Sequence, residues 1–450
     1  MEEHQKHRCL KKGNFGIQIY SLDKGASLYQ FQNDRLFIPA SNLKLITTAA
    51  AMKYLGPNYR FITELWTSGK VRDEVLHGDL YLKGFGDPKL VTEQMWLLAN
   101  RLRNLPIRQV TGDLIADDSY FDRVRRVKTW KKKFGPQPFN APLGALSFNF
   151  NTVTVFIMPG PKVGAKPVVV VDPDTDYIRI SNRATTLRAG KRNRLIVNRL
   201  GRDGFNEIAL TGGIPRNGGR SRYFLNITDP PYYTAKVLKR FLEKAGVEVA
   251  GKIKTGVLPK DAELLVQHES ESLALILRGL NKFSNNFVAE QVLKTLGAWA
   301  FGAPGSTDNG IRVIARYLQT LGISPDEYTL MDGSGLSRQS RLSPDHIVRV
   351  LRDVDADMGI YPEFIASLAI MGQDGSAKER MNDRPNGQRV RVKTGTLNGV
   401  SSLSGYFQSD GGERFAFSIL MNDLKCGNNA AVSLQDKILM EGLAFKRDVN

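Results

Sequence analysis

The sequence predicts an α/β fold whose sheet is built from both ends of the chain, with a large β-rich stretch inserted between them. Three observations carry this expectation. Residues 14–20 and 27–31 alternate apolar and polar on either side of the turn-forming Asp23-Lys24-Gly25, which reads as a β-hairpin. Residues 390–393, 402–407 and 414–420 are strand-like again, with helical periodicity from 273 to 296 and from 311 to 321 before them. Between about 62 and 264, short apolar runs such as 152–157, 167–171 and 177–180 are separated by Gly, Pro and Asp clusters. Strands at both termini with helices between them suggest one sheet that the two chain ends complete.

Each element follows from local pattern. Residues 37–41 lead into an apolar helix over 43–55, which Gly56-Pro57 stops. The insert is expected to hold helices near 91–103 and 232–245, and a helix over about 430–444 closes the chain. A chain of 450 residues is too long for one hydrophobic core. The expected division is one domain from residues 1–61 and 265–450, and an insert, 62–264, of one or two subdomains, the second nested near 90–175.

Composition narrows the function. With 42% apolar and 24% charged residues the chain reads as globular rather than disordered. Its formal net charge is +18, with basic stretches at 123–133 and 188–194. Such a surface attracts polyanions, an anionic cell-wall surface among them, although solvated faces explain the charge equally well. No zinc-finger spacing, RNP-type aromatic motif or recognition helix is evident, so nucleic acid is not an expected partner. The two cysteines, Cys9 and Cys426, exclude a disulfide-dense scaffold and a Cys-based metal site, and their pairing is left open. No His/Asp/Glu cluster has metal-ligand spacing, so neither metal nor cofactor is expected. No apolar run reaches the roughly 18 residues of a membrane span, and the polar opening is no secretory leader.

A serine nucleophile needs a base within hydrogen-bond reach. Ser41-Asn42-Leu43-Lys44 offers one, because positions i and i+3 share a helix face. The helix start also favours developing negative charge at Ser41. Serving as base requires a neutral Lys44, which burial or a neighbouring cation promotes. Companion motifs occur twice in the same order: Ser21/Lys24, Ser147/Asn149 and Lys254-Thr-Gly256, then Ser41/Lys44, Ser284/Asn286 and Lys393-Thr394-Gly395. Context favours the second trio. Ser147 lies where strand alternation begins, whereas Ser284 interrupts a helical stretch suited to projecting a short polar loop. Lys254 leaves a strand for a loop, whereas Lys393 is expected to end one strand just before another.

Pro39-Ala-Ser-Asn-Leu-Lys44, Ser284-Asn-Asn286 and Lys393-Thr-Gly-Thr396 resemble the three motifs of active-site-serine penicillin-recognising enzymes. Flanking stretches at 55–61, 84–88, 332–338 and 372–376 are similar to the D-alanyl-D-alanine carboxypeptidase/endopeptidase class (class C, low-molecular-mass) of penicillin-binding proteins. The resemblance spans roughly residues 14–442. It implies a serine β-lactamase/transpeptidase-like domain with a large β-rich insertion. It also implies an enzyme of the cell envelope outside the cytoplasmic membrane that acts on peptidoglycan peptides ending in, or cross-linked through, D-Ala, with β-lactams as covalent inhibitors. By this resemblance Ser41 is the nucleophile, Lys44 its proton acceptor, Ser284 a proton relay, Asn286 a contact to the substrate backbone or a support for Lys44, and Lys393 a source of positive potential. Thr394, Gly395 and Thr396 bind the substrate carboxylate and backbone, and the amides of Ser41 and Thr396 form the oxyanion hole. Asp332-Gly-Ser-Gly335 is a candidate lining of the cleft. Asn285 stands where many relatives carry aspartate. The rival readings are a β-lactamase of the same fold, for which no extra deacylating carboxylate is identifiable, and a catalytically silent wall-binding protein.

Overall fold

The computed structural model describes residues 14–130, 135–381, 385–425 and 427–447, and the chain divides into two compact units. Cys9 and Cys426, whose pairing the sequence left open, lie outside the described residues, as do the lysines at 131–133. The first unit comprises residues 1–59, 127–130 and 271–450, the second 60–126 and 131–270, against expected boundaries at 61/62 and 264/265. Val127–Trp130, inside the expected insert, groups with the first unit.

The first unit is built on a six-stranded antiparallel sheet in the order Ala26–Phe31, Asn14–Ser21, Arg414–Asn422, Val400–Gln408, Val390–Leu397 and Ala369–Ile370. The N-terminal hairpin pairs directly with the C-terminal strands, from Asn14 opposite Asn422 to Ser21 opposite Phe415. Central strand Val400–Gln408 is buried along all but its last residue, because helices cover both sheet faces. One face packs Phe15, Ile17, Val392, Phe407 and Phe417 against Ala431, Leu434, Ile438 and Leu443 of the helix Asn428–Ala444. On the other lie helices Leu43–Leu55 and Pro344–Asp355, where the Tyr406 hydroxyl donates to the Leu351 carbonyl at 2.7 Å.

The strand expected to end at Lys393 continues to Leu397. Asn398-Gly399, with Gly399 at φ +71°, then turns the chain into the next strand. An Asn-Gly pair supplies the left-handed backbone that two-residue hairpins need, so Lys393-Thr394-Gly395-Thr396 lies wholly within a strand. Its neighbour Ala369–Ile370 reaches only Val392 and Arg391, leaving residues 393–397 sheet-paired on one side alone.

In the second unit five-, four-, three-, three- and two-stranded sheets surround one apolar cluster running from Leu65 to Val266. Helices Thr92–Arg103 and Pro230–Lys244 bury Met95, Leu98, Leu102, Val237, Leu238 and Leu242 in it. The stretch 90–175, where a nested subdomain was expected, contributes strands to three of these sheets.

Candidate active site

Ser41 sits in a 3-10 turn, Ala40–Asn42, that runs into the helix Leu43–Leu55. Lys44 therefore follows one turn later on the same side. Its Nζ lies 2.9 Å from Ser41 Oγ and donates to Asn286 Oδ1 at 2.7 Å and to the Ser334 carbonyl at 2.6 Å. The amine is fully buried, and burial lowers it from the usual lysine range to about 7, while Asp332 and Glu290 pull it partly back.

The polar loop expected at 284 is a break between two helices. Helix Leu273–Phe283 ends where Ser284 takes a left-handed conformation (φ +57°), and Asn285 caps helix Asn286–Phe301 by accepting from the Val288 amide at 3.2 Å. Asparagine and aspartate cap equally well, which accounts for Asn285 in place of the more usual acid. The break turns Ser284 Oγ to Lys393 Nζ at 2.9 Å, while Asn286, in the first turn of the next helix, faces Lys44.

Lys393 is also fully buried, donates to the Thr394 carbonyl at 2.8 Å, and is held well below the ordinary lysine range by burial first and by Lys44 second. Burial rather than Lys393 is the leading cause of the low Lys44 value. Gly395 shares the buried side of this strand with Lys393: a Cβ there would stand 2.9 Å from the Ser41 amide nitrogen. Thr394 bonds Ser376 hydroxyl to hydroxyl at 2.6 Å, and Thr396 is exposed. All five side chains expected to act and all three strand residues thus lie around the Ser41 turn, in two hydrogen-bonded sets, Ser41–Lys44–Asn286 and Ser284–Lys393.

The competing trio does not assemble. Ser21 bonds Glu413 at 2.5 Å in the first unit, while Ser147 donates to the Gly144 carbonyl at 2.8 Å and Lys254 pairs with Asp113 in the second. Each has an ordinary structural partner.

Three supporting residues, Glu290, Trp130 and Ser376, escaped sequence reasoning, whereas Gly335 lies in the run 332–335 already named as a candidate lining of the cleft. Glu290, one helical turn beyond Asn286, is fully buried and accepts from the amides of Gly333 (3.1 and 3.2 Å) and Ser334 (2.9 Å). Burial and Asp332 push it up to about 8. Trp130 donates its indole N–H to Asp332 at 3.0 Å, which draws Val127–Trp130 to the first unit. Ser376 reaches Thr394, as above. Gly335 (φ +76°) lies against the Ala40 carbonyl so closely that a Cβ would come within 1.8 Å of it, so Gly335 and Gly395 flank the Ala40–Ser41 peptide. The one signal for these was the Gly-rich run at 332–335 itself.

A buried Ser-x-x-Lys pair, a Ser-x-Asn helix break and a Lys-Thr-Gly strand segment paired on one side, around one serine, define the penicillin-recognising class of serine hydrolases. The chain belongs to the D-Ala-D-Ala carboxypeptidase 3 (S13) family, whose model matches residues 1–444. It is 34% identical over 441 residues to a D-alanyl-D-alanine carboxypeptidase of Actinomadura sp., covering 94% of this chain and 80% of that one. It is 25% identical over 418 residues to the carboxypeptidase DacB of Haemophilus influenzae, covering 92% and 86%. The crystal structure of penicillin binding protein 4 (dacB) from H. influenzae superposes with a TM-score of 0.87 at 24% identity, over 99% of both chains. A second structure of that protein, in complex with a β-lactam, superposes at 0.82. The chain is accordingly a peptidase, and its fold is that of a penicillin-binding protein.

Proposed function

We propose that the chain cleaves D-Ala-D-Ala peptide bonds of peptidoglycan stem peptides by acylating Ser41, and that it works outside the cytoplasmic membrane. One observation carries the mechanism. The Lys44 amine faces three oxygens, of which Asn286 Oδ1 and the Ser334 carbonyl can only accept. A neutral amine has two hydrogens for those two and one lone pair left, which meets the Ser41 hydroxyl. Held at about 7, Lys44 is poised to take the hydroxyl proton as Oγ attacks the carbonyl of the penultimate D-Ala.

The tetrahedral oxyanion accepts from the Ser41 and Thr396 amides, donors that no side-chain substitution removes. As the peptide C–N bond breaks, the Ser284 hydroxyl, bonded to Lys393, passes its proton to the leaving D-Ala amine and takes up the one that Lys44 removed from Ser41, which leaves Lys44 neutral for the second half-reaction. Water then adds to the Ser41 ester, Lys44 takes its proton, and the ester bond breaks to restore the hydroxyl. The single-sided pairing of residues 393–397 suits an extended peptide added along the strand, with Thr394 and Thr396 near its terminal carboxylate. A peptide whose leaving amine belongs to a cross-link uses the same steps, so endopeptidase action is included. A β-lactam acylates the same Oγ.

An anionic cell-wall surface is proposed as a partner of the second unit. Residues 177–202 carry eight Lys and Arg and no Asp or Glu. Arg188, Lys191, Arg192 and Arg194 line a cavity of about 620 Å³ together with Thr185 and Thr186. In the other basic stretch, Arg125 is paired with Asp118. Arg188→Gln/Arg192→Gln/Arg194→Gln should weaken low-salt sedimentation with purified walls and leave acylation unchanged.

The decisive experiment is incubation with a fluorescent penicillin followed by intact mass and peptide mapping. A single adduct at Ser41, absent from Ser41→Ala, is expected, with D-Ala released from pentapeptide. Labelling that survives Ser41→Ala would overturn the assignment.

A further inference from the structure

The loop 332–337 is held between two buried carboxylates on one side and the serine-bearing helix on the other. Glu290 accepts from the amides of Gly333 and Ser334, while Asp332 accepts from those of Gly335 (3.1 Å) and Ser337 (2.7 Å). The carbonyls between these amides turn the opposite way. Gly333 O accepts from Thr47 Oγ1 at 2.8 Å and Ser334 O from Lys44 Nζ at 2.6 Å. A peptide plane is rigid and joins each carbonyl to the next amide, so Glu290, by holding the Ser334 amide, fixes the Gly333 carbonyl that Thr47 bonds, while Asp332, by holding the Gly335 amide, orients the Ser334 carbonyl that Lys44 bonds. Asp332 is itself further restrained by Trp130 and by the Ser334 and Ser340 hydroxyls. Glu290 reaches the loop from another element, the helix that also presents Asn286 to Lys44.

We propose that Glu290 is a positioning residue for the acylation step: by anchoring the amides of Gly333 and Ser334 it fixes the two peptide planes that lead to Ser334, and so the place from which the Ser334 carbonyl, oriented by Asp332, meets the Lys44 amine. Residues 286 and 290 lie one turn apart, so one rigid helix sets both acceptors of Lys44, one by its own side chain and one through the loop. The lone pair of Lys44 then has a single direction left, toward Ser41. The role belongs to hydrogen-bonding geometry and not to charge. The glutamine amide keeps an acceptor oxygen for the same loop amides, so it preserves that geometry.

This inference rests on Ser41 acylation with Lys44 as base, and the test separates the two. Wild type and Ser41→Ala are first compared for adduct formation. A failure there concerns the acylation reading alone. Wild type, Glu290→Gln, Glu290→Ala and Glu290→Asp are then compared by stopped-flow acylation with a fluorescent penicillin, resolving the pre-covalent dissociation constant from the acylation rate constant. Thermal melts identify a temperature at which each variant is folded.

Glu290→Gln should acylate within about threefold of wild type. Glu290→Ala should lose on the order of 10- to 100-fold in the rate constant with the pre-covalent constant unchanged, as expected of a base misplaced by a fraction of an ångström. Glu290→Asp, one methylene shorter, should fall between them and supplies the reading if Glu290→Ala does not fold. The proposal is overturned if folded Glu290→Ala, or Glu290→Asp in its stead, acylates at the wild-type rate, if the loss appears in the pre-covalent constant, or if Glu290→Gln is as slow as Glu290→Ala.

Discussion

Replacing Gly395 by alanine perturbs the site at one atom, and its consequence can be worked from the surroundings. The added Cβ would stand 2.1 Å from Ser402 Oγ, 2.9 Å from the Ser41 amide nitrogen and 3.2 Å from Ala40 Cβ, where ordinary contact begins near about 3.5 Å. Ser402 cannot simply turn away. Its buried hydroxyl donates to the Pro39 carbonyl at 2.8 Å, and orphaning that pair costs about 1–3 kcal/mol. The strand carrying Gly395 must therefore retreat by roughly an ångström from the Ser41 turn, an overpacking cost of about 1–3 kcal/mol. The same retreat carries the Thr396 amide away from the Ser41 amide. Losing one oxyanion donor costs on the order of 10²–10³ in rate. We therefore expect Gly395→Ala to slow acylation by a fluorescent penicillin about 100-fold while lowering the melting temperature by a few degrees. Adding Ser402→Ala removes the worst contact and should restore part of the rate, giving a positive coupling in a double-mutant cycle. A Gly395→Ala enzyme that acylates within threefold of wild type with an unchanged melting temperature would refute the packing argument.

Other expectations follow from the same geometry. Lys44 titrates near 7 when folded and near 10.5 when unfolded, so between these values the unfolded chain binds a proton that the folded chain does not. Stability should therefore rise with pH across that window, by up to about 1.4 kcal/mol per unit from this group, and urea unfolding of Lys44→Met should show a flatter profile. In the active enzyme the same protonation should appear as an acidic limb, with the acylation rate falling below about pH 7. Asn285→Asp should leave acylation and stability near wild type, whereas Asn285→Ala removes the cap of the Asn286–Phe301 helix and should cost about 1 kcal/mol by denaturant titration. Trp130→Phe deletes the N–H that Asp332 accepts and replaces the buried indole by a smaller aromatic ring; a loss of about 1–3 kcal/mol is expected, read by thermal melts.

The parts of the site legible in the sequence are those whose chemistry is local. Ser41 and Lys44 meet because helical spacing of three brings them together, and nothing remote is needed to see it. Choosing between two trios in the same order also depended on local texture, helix against strand, and the chain places Ser147 and Lys254 in a different unit from Ser41. The helix break at Ser284 was visible only as a polar interruption; its left-handed backbone, which separates the partners of Ser284 and Asn286, has no signature in a non-glycine residue. Likewise the strand carrying Lys393 was expected to end there. The structure shows why it does not: glycine is required by the approach of the Ser41 turn, and the Asn398-Gly399 turn holds the strand in register beyond it.

What the sequence conceals is the support behind the site. Glu290 reads as one of two charged residues, with Lys294, on a largely apolar helix, and its loop partners lie more than forty residues downstream. Asp332 receives an indole from residue 130, two hundred positions upstream, through a segment whose neighbours belong to the other unit. Such contacts join one side chain to a backbone amide or an indole, and those donors are spread along the whole chain, so no spacing rule selects the right one. The buried lysine shows the same asymmetry. Its position is local, but its value near 7 comes from burial among distant helices, opposed by Asp332 and Glu290. Sequence therefore names the groups that react, whereas the proton affinity that lets them react is a property of the folded surroundings.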